Sequence, residues 1–254
     1  MGERTVTARV GRPMLRQEVS EGIKRYILDH HLKPGDPLPT ESQLCDVLGA
    51  SRSSVREAVK MLNALDIVDV RHGHGTYVGR LSLSALVESL AFRGLLDPGD
   101  NCQVLADLVE VRQLFESGMA DQIVARLDEG HLDELDRLVD AMRTQSGGGS
   151  GDRAAGLVEV DRAFHAALVR PLGNELIGKM STAFWDVYEI VAPQLSLLTP
   201  ADEVDIVAIH QDIVTAARAG DTDGFVAAVV AHYAPLRRRI RESAVRPRGD
   251  GEPS

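Results

Sequence analysis

Between residues 38 and 78 the sequence spells two short helical patterns, a tight turn and a hairpin, and few folds admit that succession. Thr40 with Gln43 three residues on has the form of a capping box, so a helix is expected from Glu41. Gly49 closes it after Leu48, because glycine takes the left-handed conformation of a helix end at little steric cost. Ser51 then caps a second helix whose Val55, Ala58, Val59, Leu62 and Leu65 recur at the spacing of one buried face. Arg52, Arg56 and Lys60, four residues apart, fall on a different, solvated side. Two helices joined by a short glycine-containing turn, the second bearing cations, form the helix-turn-helix that lays its second helix in the DNA major groove. Residues 67–70 and 76–78 are β-branched runs on either side of Arg71-His72-Gly73-His74-Gly75, a hairpin with cations at its tip. The expected product is a winged helix.

The segment from 14 to 80 resembles the GntR family of bacterial transcription regulators in three separate motifs. These are Leu38-Pro39-Thr40-Glu41, then the run from Gly49 and Ala50 through Ser51-Arg52-Ser53-Ser54-Val55-Arg56-Glu57-Ala58-Val59, then Gly73-His74-Gly75-Thr76, in order and in register. Ser42 stands where several relatives carry Arg, so the DNA sequence read by the family does not transfer to this chain.

A length of 254 residues suits one large or two modest domains. Cys45 and Cys102 make no disulfide framework, no signal core follows Met1, and no uncharged apolar run approaches the roughly 20 residues of a membrane helix. A cytoplasmic protein with no membrane partner is expected. The net charge of −10 is unevenly spread: residues 1–80 hold 12 Lys+Arg against 10 Asp+Glu, leaving 16 against 28 for the rest. Only the first part can approach a phosphate backbone without strong repulsion.

Residues 1–13 are expected to be a loose arm, and Ile23, Ile27 and Leu28 one face of a helix over 15–31 that Lys33-Pro34-Gly35-Asp36-Pro37 breaks. Beyond residue 82 the pattern is helical: 83–96, stopped by Asp97-Pro98-Gly99, then 104–127 with a stripe of Leu105, Leu108, Val111, Phe115 and Met119, then 131–145. A Ser/Gly link follows at 146–151, then helices over 153–172, 175–198, 200–219 and 222–243, and a frayed tail over 244–254. The fold class expected is mainly α, with a winged helix-turn-helix over 14–80 ahead of an all-α antiparallel bundle over 84–243, whose interior suits ligand and metal sites.

His165, His210 and His232 each fall on an apolar stripe and should point inward, with Asp161 one turn before His165. One Asp and three His from three helices suit Zn²⁺, Ni²⁺ or Mn²⁺ with room for an exchangeable position; core histidines without metal are the plainer alternative. Arg112 lies on a face that should be buried, where a guanidinium must be paired. Glu116 one turn on, or the carboxylate of a bound metabolite, would serve.

This half resembles the FCD effector-binding domain of the FadR branch of GntR regulators, through Glu110-Val111-Arg112 with Glu116, Asp161-Arg162-Ala163-Phe164-His165, His210 with Gly220-Asp221, and His232. The resemblance implies that Asp161, His165, His210 and His232 hold a divalent metal, zinc foremost, and that Arg112 and Glu116 form the site of a small organic acid. Pro235 departs from the pattern and should kink the last helix near His232. Together the two resemblances imply a homodimeric, non-enzymatic regulator, a repressor by commoner family habit, that reads a palindromic operator under control of a small carboxylate effector. Arg52, Ser53 and Arg56 would enter the major groove, and Ser51, His72 and Gly73 would hold phosphate or minor groove. The rival reading is a helical metalloenzyme acting on a small carboxylate.

Overall fold

The computed structural model describes residues 12–96, 98–145, 151–192 and 200–245. The expected arm, Ser/Gly link and tail lie outside these residues except at their inner ends, where Arg12, Gly151 and Val245 already belong to helices. Two compact units divide the chain, Met1–Ala85 and Leu86–Ser254.

The first unit is a winged helix: α1 (Arg12–Asp29), α2 (Glu41–Leu48), α3 (Arg52–Ala64), β1 (Val68–Arg71) and β2 (Gly75–Val78). Helix α2 starts on the capping box, with Gln43 N–H donating to Thr40 Oγ1 and Thr40 N–H donating to Gln43 Oε1 at 2.9 Å, and ends at Gly49 with φ 63°. Val19, Ile23, Leu44, Val55, Ala58, Leu62, Val68 and Val78 share one core. Leu28 and Leu65, expected in that core, are 69% and 47% exposed. Leu28 lies a residue beyond Ile27, and so about 100° around the helix from it; Leu65 is past the end of α3, where helical spacing no longer applies.

Strands β1 and β2 pair antiparallel from Val68↔Val78 to Arg71↔Gly75. The segment read from sequence only as a helix break adds a third edge: Val78 N–H donates to Asp36 O, Leu38 N–H donates to Thr76 O, both at 2.8 Å, and Pro37 bridges Tyr77. The wing is fastened at its exit as well. Gly79 passes so close to α3's trailing turn that a Cβ there would lie 2.1 Å from the Asp66 carbonyl oxygen. The Asp66 side chain accepts from Ser82 N–H at 2.9 Å.

Beyond the wing the described residues form helices joined by short turns: α4 (Ser84–Leu96), α5 (Pro98–Gly118), α6 (Ala120–Arg126), α7 (Glu129–Gln145), α8 (Gly151–Val169), a 3-10 turn (Arg170–Leu172), α9 (Glu175–Val191), α10 (Pro200–Arg218) and α11 (Thr222–Val245). Helix α5 begins six residues before the expected 104, because Pro98 needs no N–H acceptor in a first turn and has its φ already set. The expected single helix is broken at Met119, which leaves helical geometry with ψ 8°. Helix α11 packs on α5 and α10, α10 on α7, α7 on α8, and α8 and α5 on α9. Arg218 of α10 reaches Glu129 and Asp136 of α7 at 2.6 and 2.7 Å, and Arg162 of α8 reaches Asp186 and Glu189 of α9 at 2.7 and 3.1 Å. Pairs this exposed add little stability but favour one helix order over others.

Candidate functional site

Four side chains from three helices converge inside the second unit. Asp161 and His165 lie one turn apart on α8, His210 comes from α10 and His232 from α11, and one ligand atom from each lies within 4.8 Å of every other. Donors about 2.1 Å from a common ion lie within about 4.2 Å of one another, so a small inward shift would let the four share one cation. His165 and His210 are fully buried, whereas Asp161 and His232 line a cavity of about 80 Å³.

The hydrogen bonds behind the imidazoles decide which nitrogens face inward. His210 Nδ1–H donates to Ile206 O at 2.7 Å, and His165 Nδ1–H donates to the Glu116 carboxylate at 2.8 Å. Each ring therefore turns its Nε2 to the cluster. His210 Nε2 lies 2.8 Å from Asp161 Oδ1, and His165 Nε2 lies 3.1 Å from His232 Nε2. The His210–Asp161 contact would set two acceptors face to face and so needs a proton or a metal between them, whereas a neutral His232 can donate its Nε2–H to His165. Burial opposes charge on Asp161, yet hydrogen bonds from His165 and His210 hold its carboxyl well below the usual range. Burial, with repulsion from His210 and His165, pushes His232 well below its ordinary value, so it offers a neutral imidazole. The donor set and its orientation thus fit a divalent metal with nitrogen and oxygen ligands.

Arg112 and Glu116 are both buried, on the face of α5 that carries Leu105, Leu108 and Val109. Val111, expected in the buried stripe, is 43% exposed instead. The two expected effector residues have different surroundings. Glu116 accepts from His165 and, at 2.9 Å, from Tyr233 OH; it stands 3.9 Å from Arg112 and does not line the cavity. Burial raises its pKa, but the His165 and Arg112 charges more than offset this and keep it ionised. Its contacts are those of a residue that orients His165. Arg112 does line the cavity, with its guanidinium 4.3 Å over the Trp185 ring and 5.5 Å from that of Tyr233. Its Nη2 is buried without a hydrogen-bond partner, and so is Trp185 Nε1 beside it. Buried N–H groups without acceptors are costly, and two lining one cavity suggest that an acceptor belongs there.

Sequence reasoning missed Trp185, Tyr188, Tyr233 and Arg239 in the lining. Tyr233 and Arg239 carried a signal, being one and seven residues from His232 on the same helix. Pro235 does not displace His232: α11 runs through it, and the imidazole stays in the cluster.

In the first unit Arg52, Ser53, Arg56, His72 and Gly73 are all exposed, on α3 and the tip of the wing. Arg56 is held at 3.2 Å by Glu41 of α2, which fixes its direction while leaving it on the surface. Ser51 is spoken for locally: its oxygen accepts from Ser54 N–H as the cap of α3. Arg71 lies 4.1 Å over the Tyr77 ring, stiffening the wing beside His72.

The profile of the FCD domain matches residues 107–235, and that of the bacterial regulatory proteins of the gntR family matches residues 15–78. The chain belongs to the GntR family. Among curated GntR relatives it is 33% identical over 152 residues to the HTH-type transcriptional regulator LutR of Bacillus subtilis, covering 59% of this chain and 65% of LutR. It is 30% identical over 162 residues to the Glc operon transcriptional activator of Escherichia coli, covering 63% of this chain and 61% of that protein. These matches thus span just under two thirds of either relative. A solved GntR protein of Streptococcus agalactiae shares the fold at 24% identity, with a TM-score of 0.63 over 88% of this chain and 99% of that one.

Proposed function

We propose that this GntR-family chain is a cytoplasmic, homodimeric transcription regulator whose grip on a palindromic operator is set by a metal-assisted small carboxylate effector. What carries the reading is the pairing, in one chain, of an exposed cation row on α3 with a buried cavity where Arg112 Nη2 lacks an acceptor. Arg52, Ser53 and Arg56 would meet base edges, with arginine pairing guanine O6 and N7, while Ser51, His72 and Gly73 would meet the backbone or minor groove. Two copies about a two-fold axis would read two half-sites.

In the FCD domain, Asp161 and the Nε2 atoms of His165, His210 and His232 would hold the ion, with zinc proposed first and nickel or manganese as the other candidates. When bound, the metal supplies a Lewis-acid grip on an effector oxygen. Arg112 holds the acid's carboxylate, and Glu116 keeps His165 in the ligating tautomer. A ligand that favours one arrangement of the dimer over another changes operator affinity by that difference alone. Repression is the proposed sense. No helix among the described residues is long and apolar enough to cross a membrane, in keeping with a cytoplasmic site. The metalloenzyme reading gains nothing from the lining: Asp161 is its one carboxylate and is engaged by His210, and Glu159 is exposed.

Two measurements test this reading. Metal analysis of protein purified without a nickel column should find about one divalent ion per chain, and fluorescence anisotropy on duplexes from the gene's own upstream region should find one bound in preference to the rest. Absence of any preferred duplex would sink the regulatory reading.

A further inference from the structure

The cations on the outer face of the winged helix are closely matched by carboxylates. Helices α2 and α3 together carry Arg52, Arg56 and Lys60 against Glu41, Asp46 and Glu57. Lys60 pairs with Glu57 at 3.2 Å, and on the wing Arg71 pairs with Asp69 at 2.9 Å. Each of these pairs lies within one element. The pair of Arg56 Nη2 with Glu41 Oε2, at 3.2 Å, instead joins α3 to α2.

A surface made only to grip phosphate gains nothing from this arrangement. A carboxylate beside a cation repels the backbone of a duplex and offsets the counter-ion release that drives non-specific binding. Nor is the pair needed for folding, because the side chains of Arg56 and Glu41 are 60% and 40% exposed and such pairs add little stability. What Glu41 supplies is direction. An unheld arginine on a helix surface samples several rotamers and swings between a base edge and the nearest phosphate. With Nη2 held by Glu41, the guanidinium keeps one placement, while its Nε and Nη1 make no other hydrogen bond among the described residues. Local structure anchors both ends of that placement. Glu41 opens α2 directly after the Thr40 capping box, Ser51 caps α3 five residues before Arg56, and Leu44 and Val55 tie the two helices into one core.

We propose that Glu41 determines specificity at the DNA interface: it holds Arg56 toward a guanine edge and, by its own charge, bars that arginine from phosphate. The proposal rests on the operator reading above and adds to it an acidic residue that works by penalising the wrong sequences. Specificity is a difference of two affinities, so a residue that weakens mismatched complexes more than the matched one raises it.

The test is fluorescence anisotropy of the full chain on the upstream duplex it prefers, on copies with each base pair substituted in both half-sites, and on an unrelated duplex. Glu41→Gln leaves the capping box intact and should melt with the parent. It should bind the unrelated duplex about five-fold tighter, with a log–log salt slope steeper by about one, because Arg56 is released to a phosphate. At one base pair of each half-site it should lose about ten-fold in discrimination. Arg56→Ala should lose discrimination at that same base pair, and adding Glu41→Gln to it should change the value no further, as expected of a residue that acts through Arg56. Discrimination retained at every base pair in Glu41→Gln, a further loss in the double variant, or an unrelated duplex bound no tighter than by the parent would overturn the proposal and leave the operator reading standing. If the parent chain preferred no upstream duplex, the operator reading itself would fall and this proposal with it.

Discussion

Glu116 shows how much one carboxylate can settle. It accepts from both His165 and Tyr233, and through His165 it selects the nitrogen that faces the cluster of Asp161, His210 and His232. Glu116→Gln keeps the shape but gives His165 a weaker and ambiguous partner. Zinc affinity should fall by about 10- to 100-fold with the circular dichroism spectrum unchanged; undiminished affinity would make Glu116 merely a partner of Arg112. In the winged helix the sensitive residue is Gly79. A methyl group there would meet the Asp66 carbonyl at 2.1 Å, so Gly79→Ala should cost more than about 2 kcal/mol in a urea titration. Asp66 itself predicts a pH effect. Burial raises its pKa, but the hydrogen bonds from Ser82 outweigh this and leave the carboxyl below its usual 3.8. A carboxyl depressed in the folded state contributes stability that is present above the unfolded value and lost as the pH falls through the folded one. Asp66→Asn, which tolerates the positive φ of 53°, should therefore lose less thermal stability between pH 5 and pH 3 than the parent chain. On DNA, Arg52→Ala should cost roughly 1–3 kcal/mol at one base position; a uniform loss across sequences would make Arg52 a phosphate contact.

At the scale of elements, what could be read from sequence was what is decided locally. Thr40, Gln43 and Gly49 fix both ends of α2 through their own hydrogen bonds and backbone preferences, and Ser51 does the same for α3. The inward turn of the three histidines followed from helical spacing alone. The third edge of the wing did not, since Asp36 and Leu38 pair with residues some forty positions on. Nor did the break at Met119 or the exposure of Val111, because the buried face of α5 follows a line through Arg112 and Glu116 that a purely apolar pattern conceals. Trp185 and Arg239 enter the cavity through the packing of helices distant in sequence, which no local pattern encodes. Pro235 misled in the other direction. It denies α11 one N–H, yet the helix continues because α5 and α10 pack along it. Pro235→Ala should accordingly raise the thermal midpoint, by up to about 3 kcal/mol of stability; a fall would show that the proline's contact with the cavity outweighs its backbone cost.

At the scale of the molecule, the chain keeps two chemistries apart. The first 80 residues hold 12 Lys+Arg against 10 Asp+Glu and the remaining 174 hold 16 against 28, so on the proposed reading the DNA-facing unit depends on a few placed cations and its affinity should fall with salt. The account stands on coupling between an acid-sensing FCD domain and that unit, and coupling must be reciprocal. The most direct measurement is the affinity of the zinc-loaded chain for its preferred upstream duplex, by anisotropy at fixed salt, with and without a saturating acid that calorimetry has shown to bind. The prediction is a change of about 5- to 150-fold in operator affinity, matched by an equal change in acid affinity when the duplex is present. Operator affinity that stayed the same while the acid demonstrably occupied its cavity would contradict it.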